Sequence, residues 1–403
     1  MLPSSLIRAA DRYQLETDRL GEVLEVRAAV SSLVEVLERV SDPRRPEGRR
    51  YPLASMLALL VLATLAGCRT MRTTVAWAGD LEVAVVVGLG FARGLPARST
   101  LTDLTGRVDM GCVSEAMLAW MADRLVAQAD PDQRVHVALD GKALRGARHD
   151  GDRRAPMQLA VFAPDPGVVL ATAEVPAEQG KGGEIAAAVT ALDQIGSIAG
   201  WVVTGDALHT VKASAAYLRA RGAHYIVPVK ANRAILHAEV TDIPWKQVPV
   251  AARTRERRHG RDEDRVYQVV EITRPATGSA GRLSLPDARQ AIRVTSTRQA
   301  TTPGGETSTA TLFYVTSLGP RDATGTEIAA TIRARWGIEN RLHWIRDVVF
   351  NEDRHTTRRE NTTRLWTLLR SVAIGLIHLA GLPLTDTTNA CYRHPERLFA
   401  LVK

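Results

Sequence analysis

The sequence contains few cysteines, and those it contains are far apart. Cys68, Cys112 and Cys391 are odd in number and form neither a CxxC pair nor a zinc-ligand spacing. Neither a disulfide-stapled scaffold nor a structural zinc site is therefore indicated. Free cysteines that are this dispersed are typical of a protein from a reducing compartment.

Long apolar runs are also scarce. Residues 1–23 contain no apolar core of the kind found in a signal peptide, so no secretory leader is predicted. The run from Leu53 to Cys68 is apolar, but its 16 residues fall short of the roughly 20 that a membrane-spanning helix needs. We predict a buried helix there and no membrane association; a helical membrane-associated protein is the alternative.

Lysine is rare, and arginine replaces it. Six of the 52 Lys and Arg residues are lysine, so most positive charge is carried by planar guanidinium groups that fit phosphate well. The net charge of +8 and the pI of about 9.7 favour an anionic partner. A chain of 403 residues with 45% apolar residues can bury the cores of two or three domains.

The sequence pattern changes along the chain and divides it into segments. Helical patterns fill residues 1–130 and predict a helical N-terminal domain. Strand patterns followed by helix–strand–helix–strand fill 131–231, and helices return in 321–385. These two segments predict one α/β core, a mixed sheet flanked by helices. Residues 232–320 predict a strand-rich inserted subdomain, and 386–403 a C-terminal tail.

Two aspartates stand at the ends of predicted strands. Asp140 follows the alternating strand RVHVAL, and Asp206 follows the apolar strand WVVTG and opens a predicted helix. Each one alone is explained by a turn or a helix cap. Together, on neighbouring strands, they predict two carboxylates at one edge of the sheet, which is where open α/β sheets bind ligands.

The segment RWGIENRLHWIRDVVFNEDR, which begins at Arg335, predicts a helix. Ile338, Leu342, Ile345 and Val349 are spaced as one buried face.

A second face of the same helix carries charged side chains. Arg335, Glu339, His343 and Arg346 are spaced by 4, 4 and 3 residues. A solvated salt-bridge face explains this pattern without any function.

A third carboxylate from this helix would complete a site of hard oxygen ligands. Glu339 is our candidate, because its neighbours are cationic or aromatic, as a DNA-phosphate site requires. Carboxylates and water are the ligands that Mg²⁺ and Mn²⁺ prefer. Two such ions can activate an oxygen nucleophile and stabilise the leaving oxygen of a phosphodiester.

Several motifs resemble those of the DDE transposases of bacterial insertion sequences, particularly the ISAs-type family with its associated N-terminal domain. The resemblance covers nearly the whole chain. The segments that carry it are DPRRPEGRRYPLASMLALLVLATLAG, LDGKALRG, KGGEI, VVTGDALHT, YIVPVKANR, HGRDEDR from His259, and WGIENRLHWIRDVVFNEDR. Two departures stand out: Gly183 replaces the Asn of a K-x-N-E-I pattern, and Ile332 replaces the Tyr of Y-x2-R-x3-E-x6-K.

The resemblance implies an RNase H-like core with Asp140, Asp206 and Glu339 as catalytic metal ligands. It further implies two Mg²⁺ or Mn²⁺ ions, with Asp140 expected to bridge them. The implied function is cleavage at transposon ends, followed by attack of the freed 3′-OH on target DNA. Double-stranded DNA is then the partner, with a homodimer or larger assembly on DNA, and the location is the bacterial cytoplasm and nucleoid.

We expect further residues near these acids to contact DNA. Arg335 and Arg346 are expected to bind backbone phosphates, and Trp336 to stack on an unpaired base or pack in the core. Phosphate contacts are also expected of His343, Lys142 and Arg145, with a structural hydrogen bond as the alternative for His343. By contrast, we expect His209 to face solvent or cap a turn.

Two other functions fit the same residues. A related metal-dependent nuclease would cut DNA without joining strands, and a transposase-derived DNA-binding protein would have lost catalysis. Asp347, Glu352 and Asp353 also lie near the predicted helix, and each is an alternative to Glu339 as third ligand.

Overall fold

The computed structural model describes residues 12–13, 17–128, 130, 133–148, 155–176, 180–258, 260–272, 283–301, 306–355, 357 and 359–403. His259, the first residue of the HGRDEDR motif, lies outside the described residues, as do Thr356 and Arg358. The backbone of Lys181, in KGGEI, belongs to a helix.

The N-terminal region is helical, as predicted. Its helices are α1 (Thr17–Glu38), α2 (Leu53–Leu65), α3 (Met71–Gly79), α4 (Val83–Gly88), α5 (Arg98–Arg107) and α6 (Met110–Gln128). Every residue of α2 is buried, which confirms the predicted buried helix. Gly67 follows the end of this helix and has a φ of +79°. This backbone conformation lets the Cys68 N–H donate back to the Ala63 carbonyl at 2.8 Å.

No single helix within the described residues is long and apolar enough to cross a membrane. The bent helix pair Glu360–Leu379 and Leu384–Arg393 reaches the length and apolar composition of a membrane span only when its two helices are taken together. The first of them is buried along most of its length.

A mixed sheet of nine strands forms the centre of the molecule, in the order β3-β2-β1-β4-β5-β9-β8-β7-β6. Strands β1 to β3 pair antiparallel, whereas β1, β4 and β5 pair parallel. Helices flank this sheet, so the predicted mixed sheet flanked by helices is confirmed. The strands are β1 (His136–Ala143), β2 (Met157–Ala163), β3 (Val168–Val175), β4 (Val202–Thr204), β5 (His224–Val229), β6 (Val250–Arg258), β7 (Arg261–Glu271), β8 (Gln290–Ala300) and β9 (Thr307–Thr316).

The strand-rich stretch, which we expected as an insertion within the core, adds its strands to the core sheet. Its strands β6 to β9 form an antiparallel meander, and β9 pairs antiparallel with β5. The meander thereby continues the core sheet, because β5 would otherwise leave an unpaired edge.

The remaining helices connect or cover the strands. They are α7 (Gly180–Asp193), α8 (Lys212–Ala220), α9 (Ala234–Thr241), α10 (Gly325–Ala334), α11 (Trp344–Val348), α12 (Glu360–Leu379), α13 (Leu384–Arg393) and α14 (Arg397–Val402). A capping box of Thr324 and Glu327 starts α10. The long α12 packs against β3 and also against α2 and α6, so one apolar core joins the N-terminal helices to the sheet.

The C-terminal segment is not a tail, contrary to our expectation. It forms α13 and α14, and Leu398, Leu401 and Val402 are buried. Arg124 on α6 donates to the Val402 carbonyl at 2.7 Å, and α14 packs on α1. Burial of the apolar residues of α14 against the N-terminal helices stabilises this arrangement.

Candidate active site

Asp140 lies within β1, and Asp206 follows the end of the neighbouring parallel strand β4 by two residues. Ala138 of β1 is paired with Thr204 of β4, and each aspartate follows its paired residue by two positions. Both side chains are partly exposed. Adjacent strands lie about 4.8 Å apart, so the backbones at these positions are close, while the meeting of the two carboxylates at one edge of the sheet stays a prediction.

The loop after β4 holds Asp206 in a turn and not at a helix start. Its Oδ1 accepts the Leu208 N–H at 2.8 Å, whereas α8 begins only at Lys212. The Thr210 hydroxyl donates to the Pro228 carbonyl at 2.7 Å, which fastens this loop to β5. One oxygen of Asp206 is therefore used to shape the loop.

His209 is buried, at 5% exposure, so the expectation that it faces solvent was wrong. A Cβ at Gly205 would lie 2.9 Å from the His209 ring, so the glycine makes room for the imidazole. Burial lowers the pKa of His209, the charges of Asp206 and Asp140 raise it, and Arg335 lowers it again. The net result is a lowered pKa, because burial outweighs the two aspartates.

The helix that carries Glu339 lies against β1. Its first part is a π-helix over Ile338–His343, and such wide turns are frequent at functional sites. His343 Nδ1 lies 3.3 Å from Asp140 Oδ2, and Glu339 is one turn earlier on the same helix. Ile338, Leu342 and Ile345 are buried, which confirms the predicted apolar face.

The three acids offer the ligand chemistry of a divalent-cation site. The side chain of Asp140 is 27% exposed, and Glu339 is partly exposed and forms no ion pair with any residue that the structure describes. Across the described ranges, no three His, Cys, Asp or Glu side chains are grouped tightly enough to hold a metal ion. The donor set fits a hard cation, while the convergence of Glu339 on the aspartates stays a prediction.

The alternative third ligands are all engaged by cations. Asp347 Oδ1 lies 2.7 Å from Lys142 Nζ, and Asp353 lies 3.8 Å from the same ammonium. Glu352 is 4% exposed and pairs with buried arginines. These contacts favour Glu339 over its three neighbours as the third ligand.

The buried partners of Glu352 are Arg346, at 2.8 Å, and Arg370, at 3.0 Å. Arg346 is only 1% exposed, so its expected phosphate contact was wrong. Burial alone would raise the pKa of Glu352, but the two guanidinium groups lower it to about 2.

Lys142 also differs from our expectation of a phosphate contact, because its side chain is buried too. It is 8% exposed and its ammonium is bound by Asp347, so it ties β1 to the helix that carries Glu339. A Cβ at Gly146 would lie 2.6 Å from the His355 carbonyl, which shows that the turn after β1 also packs tightly on the segment after that helix.

Three of the expected DNA contacts are accessible. Arg145 has a side chain that is 77% exposed, 3.7 Å from Asp353. Arg335 lies over the Trp336 ring at 5.8 Å, and Trp336 is 44% exposed, which excludes the core-packing alternative. His343 makes the structural contact with Asp140 that we held as its alternative role.

Comparisons with known proteins agree on one family. Residues 131–376 match the family model described as "Transposase DDE domain", and residues 34–121 match the model described as "DDE_Tnp_1-associated". "Putative transposase YncI" of Escherichia coli O157:H7 is 25% identical over 360 residues, which cover 87% of this chain and 88% of that protein.

Two further proteins are similar over most of their length. "H repeat-associated putative transposase YhhI" of Escherichia coli (strain K12) is 24% identical over 355 residues, with 86% of this chain and 90% of that protein covered. The solved structure titled "Cryo-EM structure of piggyBac transposase synaptic complex with hairpin DNA (SNHP)" has a TM-score of 0.43 and 10% identity, and covers 95% of this chain and 80% of that chain.

Proposed function

Because the chain belongs to the transposase DDE domain family, we propose that it cuts DNA at transposon ends and joins the freed 3′-OH to target DNA. The observation that supports this best is that Asp140 and Asp206 each stand two positions after residues that pair between the parallel strands β1 and β4. The π-helix that contains Glu339 lies against this pair through the contact of His343 with Asp140. The ISAs-type assignment stays a prediction.

We assign Asp140, Asp206 and Glu339 as the ligands of two Mg²⁺ or Mn²⁺ ions. When bound, such ions activate an oxygen nucleophile and stabilise the leaving oxygen of a phosphodiester. Burial lowers the pKa of His209, which disfavours a positive charge on this ring in the loop of Asp206. His343 orients Asp140 through the 3.3 Å contact of its Nδ1 with Asp140 Oδ2.

Residues at the rim of the site bind the DNA in this proposal. Arg335 and Arg145 carry accessible guanidinium groups that contact backbone phosphates, and Trp336 stacks on an unpaired base. Lys142 fixes the Glu339 helix to β1 by its ion pair with Asp347. Because two transposon ends must be brought together, we propose a homodimer or larger assembly on DNA.

A joining assay tests the proposal. The substrate is a pre-cut 3′-OH duplex from the ends of the element that encodes this chain, with a supercoiled plasmid as target and Mg²⁺ or Mn²⁺ present. The wild type is expected to cleave uncut ends and to join pre-cut ones. Asp140→Asn, Asp206→Asn and Glu339→Gln are each expected to lose both reactions while retaining DNA binding.

The control is Glu396→Gln, which removes an exposed acid outside the site and is expected to leave both reactions unchanged. Cleavage without joining would support the nuclease alternative instead. DNA binding with neither reaction would support the DNA-binding protein that has lost catalysis.

A further inference from the structure

A cavity of about 230 Å³ lies where the N-terminal helices meet the catalytic core. One wall comes from residues 69–71 and from α5, and the other from Phe350, Asn351, Arg354, His355, Thr357, Arg359, Thr362 and Trp366. These walls belong to the two regions that match separate family models. At about 30 Å³ for each water molecule in the liquid, the cavity has room for a small hydrated anion.

Three arginines line this cavity: Arg69, Arg354 and Arg359. All three are exposed, and none forms an ion pair with a residue that the structure describes. None of the described lining residues is acidic. The cavity therefore concentrates positive charge that the protein itself does not neutralise, unlike the buried Arg346 and Arg370.

The backbone adds to this positive field. Helix α12 begins at the cavity, and its N-cap residue, Arg359, provides no side-chain hydrogen bond to the first turn. The first N–H groups of a helix carry partial positive charge and bind anions. The floor is closed by Trp366, which is 2% exposed, so the charge lies at the mouth, where a strand of nucleic acid can reach it.

The cavity is connected to the acids of the candidate site by tight packing. Arg354 belongs to the 3-10 turn Glu352–Arg354, which packs on the turn Arg145–Ala147 directly after the strand of Asp140. A Cβ at Gly146 would lie 2.9 Å from the Asp353 carbonyl. The position of the cavity is thereby fixed relative to β1.

We propose that this cavity binds a backbone phosphate of a DNA strand, and that the associated N-terminal region supplies Arg69 to it. The inference rests on the proposed function, since it concerns the DNA that the same active site cuts. It gives the associated region a role: with Arg354 and Arg359 of the core, it grips the strand beside the catalytic acids.

The test is a binding titration by fluorescence anisotropy with a fluorescein-labelled 40-base-pair duplex at several salt concentrations. Arg69→Gln, Arg354→Gln and Arg359→Gln are each expected to weaken binding several-fold. Each is also expected to lower the slope of log K against log salt by about 1, because one phosphate contact is lost. Arg69→Lys retains the charge and is expected to restore most of the slope.

The matched control is Arg107→Gln, which removes the same charge from an exposed arginine that is already paired with Asp103. Its slope is expected to stay that of the wild type. Thermal melting of every variant verifies the fold, and the joining assay is run in parallel. If the glutamine variants of Arg69, Arg354 and Arg359 bind DNA like the control, while the wild type binds and joins DNA, this inference alone is overturned.

A wild type that does not bind the duplex at all would overturn the proposed function, and this inference with it. The cavity could instead bind free phosphate from solution, and inorganic phosphate is the probe for this alternative. In that case added phosphate would raise the melting temperature of the wild type but not of Arg354→Gln, while both would bind DNA equally. That result also contradicts the proposal.

Discussion

Replacing Glu352 by glutamine should destabilise the protein by about 3 kcal/mol at neutral pH. The carboxylate is buried between Arg346 and Arg370, which lower its pKa from 4.5 to about 2 against the effect of burial. That difference corresponds to about 3 kcal/mol at 1.36 kcal/mol for each pH unit. Glutamine has the shape of the protonated acid, so it removes this stabilisation and leaves two guanidinium groups buried without a counter-charge.

The expected change in melting temperature follows from the size of the chain. An unfolding entropy of about 2.1 cal/mol/K per residue over 403 residues converts 3 kcal/mol into a loss of roughly 3–4 °C. The measurement is thermal unfolding followed by circular dichroism. Asp103→Asn, which breaks only an exposed pair with Arg107, serves as the control and should cost no more than about 0.5 kcal/mol.

The effect of Glu352→Gln should depend on pH in one direction. In the unfolded chain the carboxyl titrates near 4.5, and in the folded protein near 2. Its stabilisation is thus fully present above about pH 4.5 and is lost as the pH falls towards 2. The difference in melting temperature between wild type and variant should be constant from pH 6 to 8 and shrink below pH 4.5. A loss below about 1 kcal/mol at pH 7, or a difference that grows in acid, would refute this reasoning.

Three further substitutions test the contacts around the candidate site. Lys142→Met should cost about 2 kcal/mol in a melt by removing a charged hydrogen bond, and should slow joining without weakening DNA binding; unchanged joining would contradict its positioning role. Gly146→Ala should cost about 1–3 kcal/mol through backbone overlap, whereas Gly182→Ala, with nothing within 4 Å, should raise stability slightly. Gly205→Ala should displace the His209 ring and lower joining; a crystal structure with that ring unmoved would argue against the contact.

The positions of the two aspartates could be predicted from the sequence because strand alternation is local. RVHVAL and WVVTG each predict a strand near an acid; β1 in fact continues past Asp140 to Ala143, and β4 ends at Thr204, while the convergence of the two acids stays a prediction. The pairing of β9 with β5 joins residues about 90 apart in the chain, and no local pattern specifies which strand covers which edge.

Arg346 shows where helical spacing misleads. An α-helical period places it on the face of Glu339 and His343, but the π-helix over Ile338–His343 widens the turn, so the residues after it no longer keep that phase. Its burial also depends on Glu352 and Arg370, which are brought to it only by the fold. His209 was mispredicted for a similar reason, because its burial comes from the room left by Gly205.

The most direct measurement of the central claim is a crystal structure of the wild-type protein soaked with Mn²⁺, with the ions located by anomalous scattering. The account predicts manganese peaks whose ligands are the carboxylates of Asp140, Asp206 and Glu339. Glu184 is the informative contrast, because its Oε2 lies 3.0 Å from where a Cβ on Gly141 would stand. Manganese bound by the two aspartates and Glu184, with Glu339 directed elsewhere, would contradict the account.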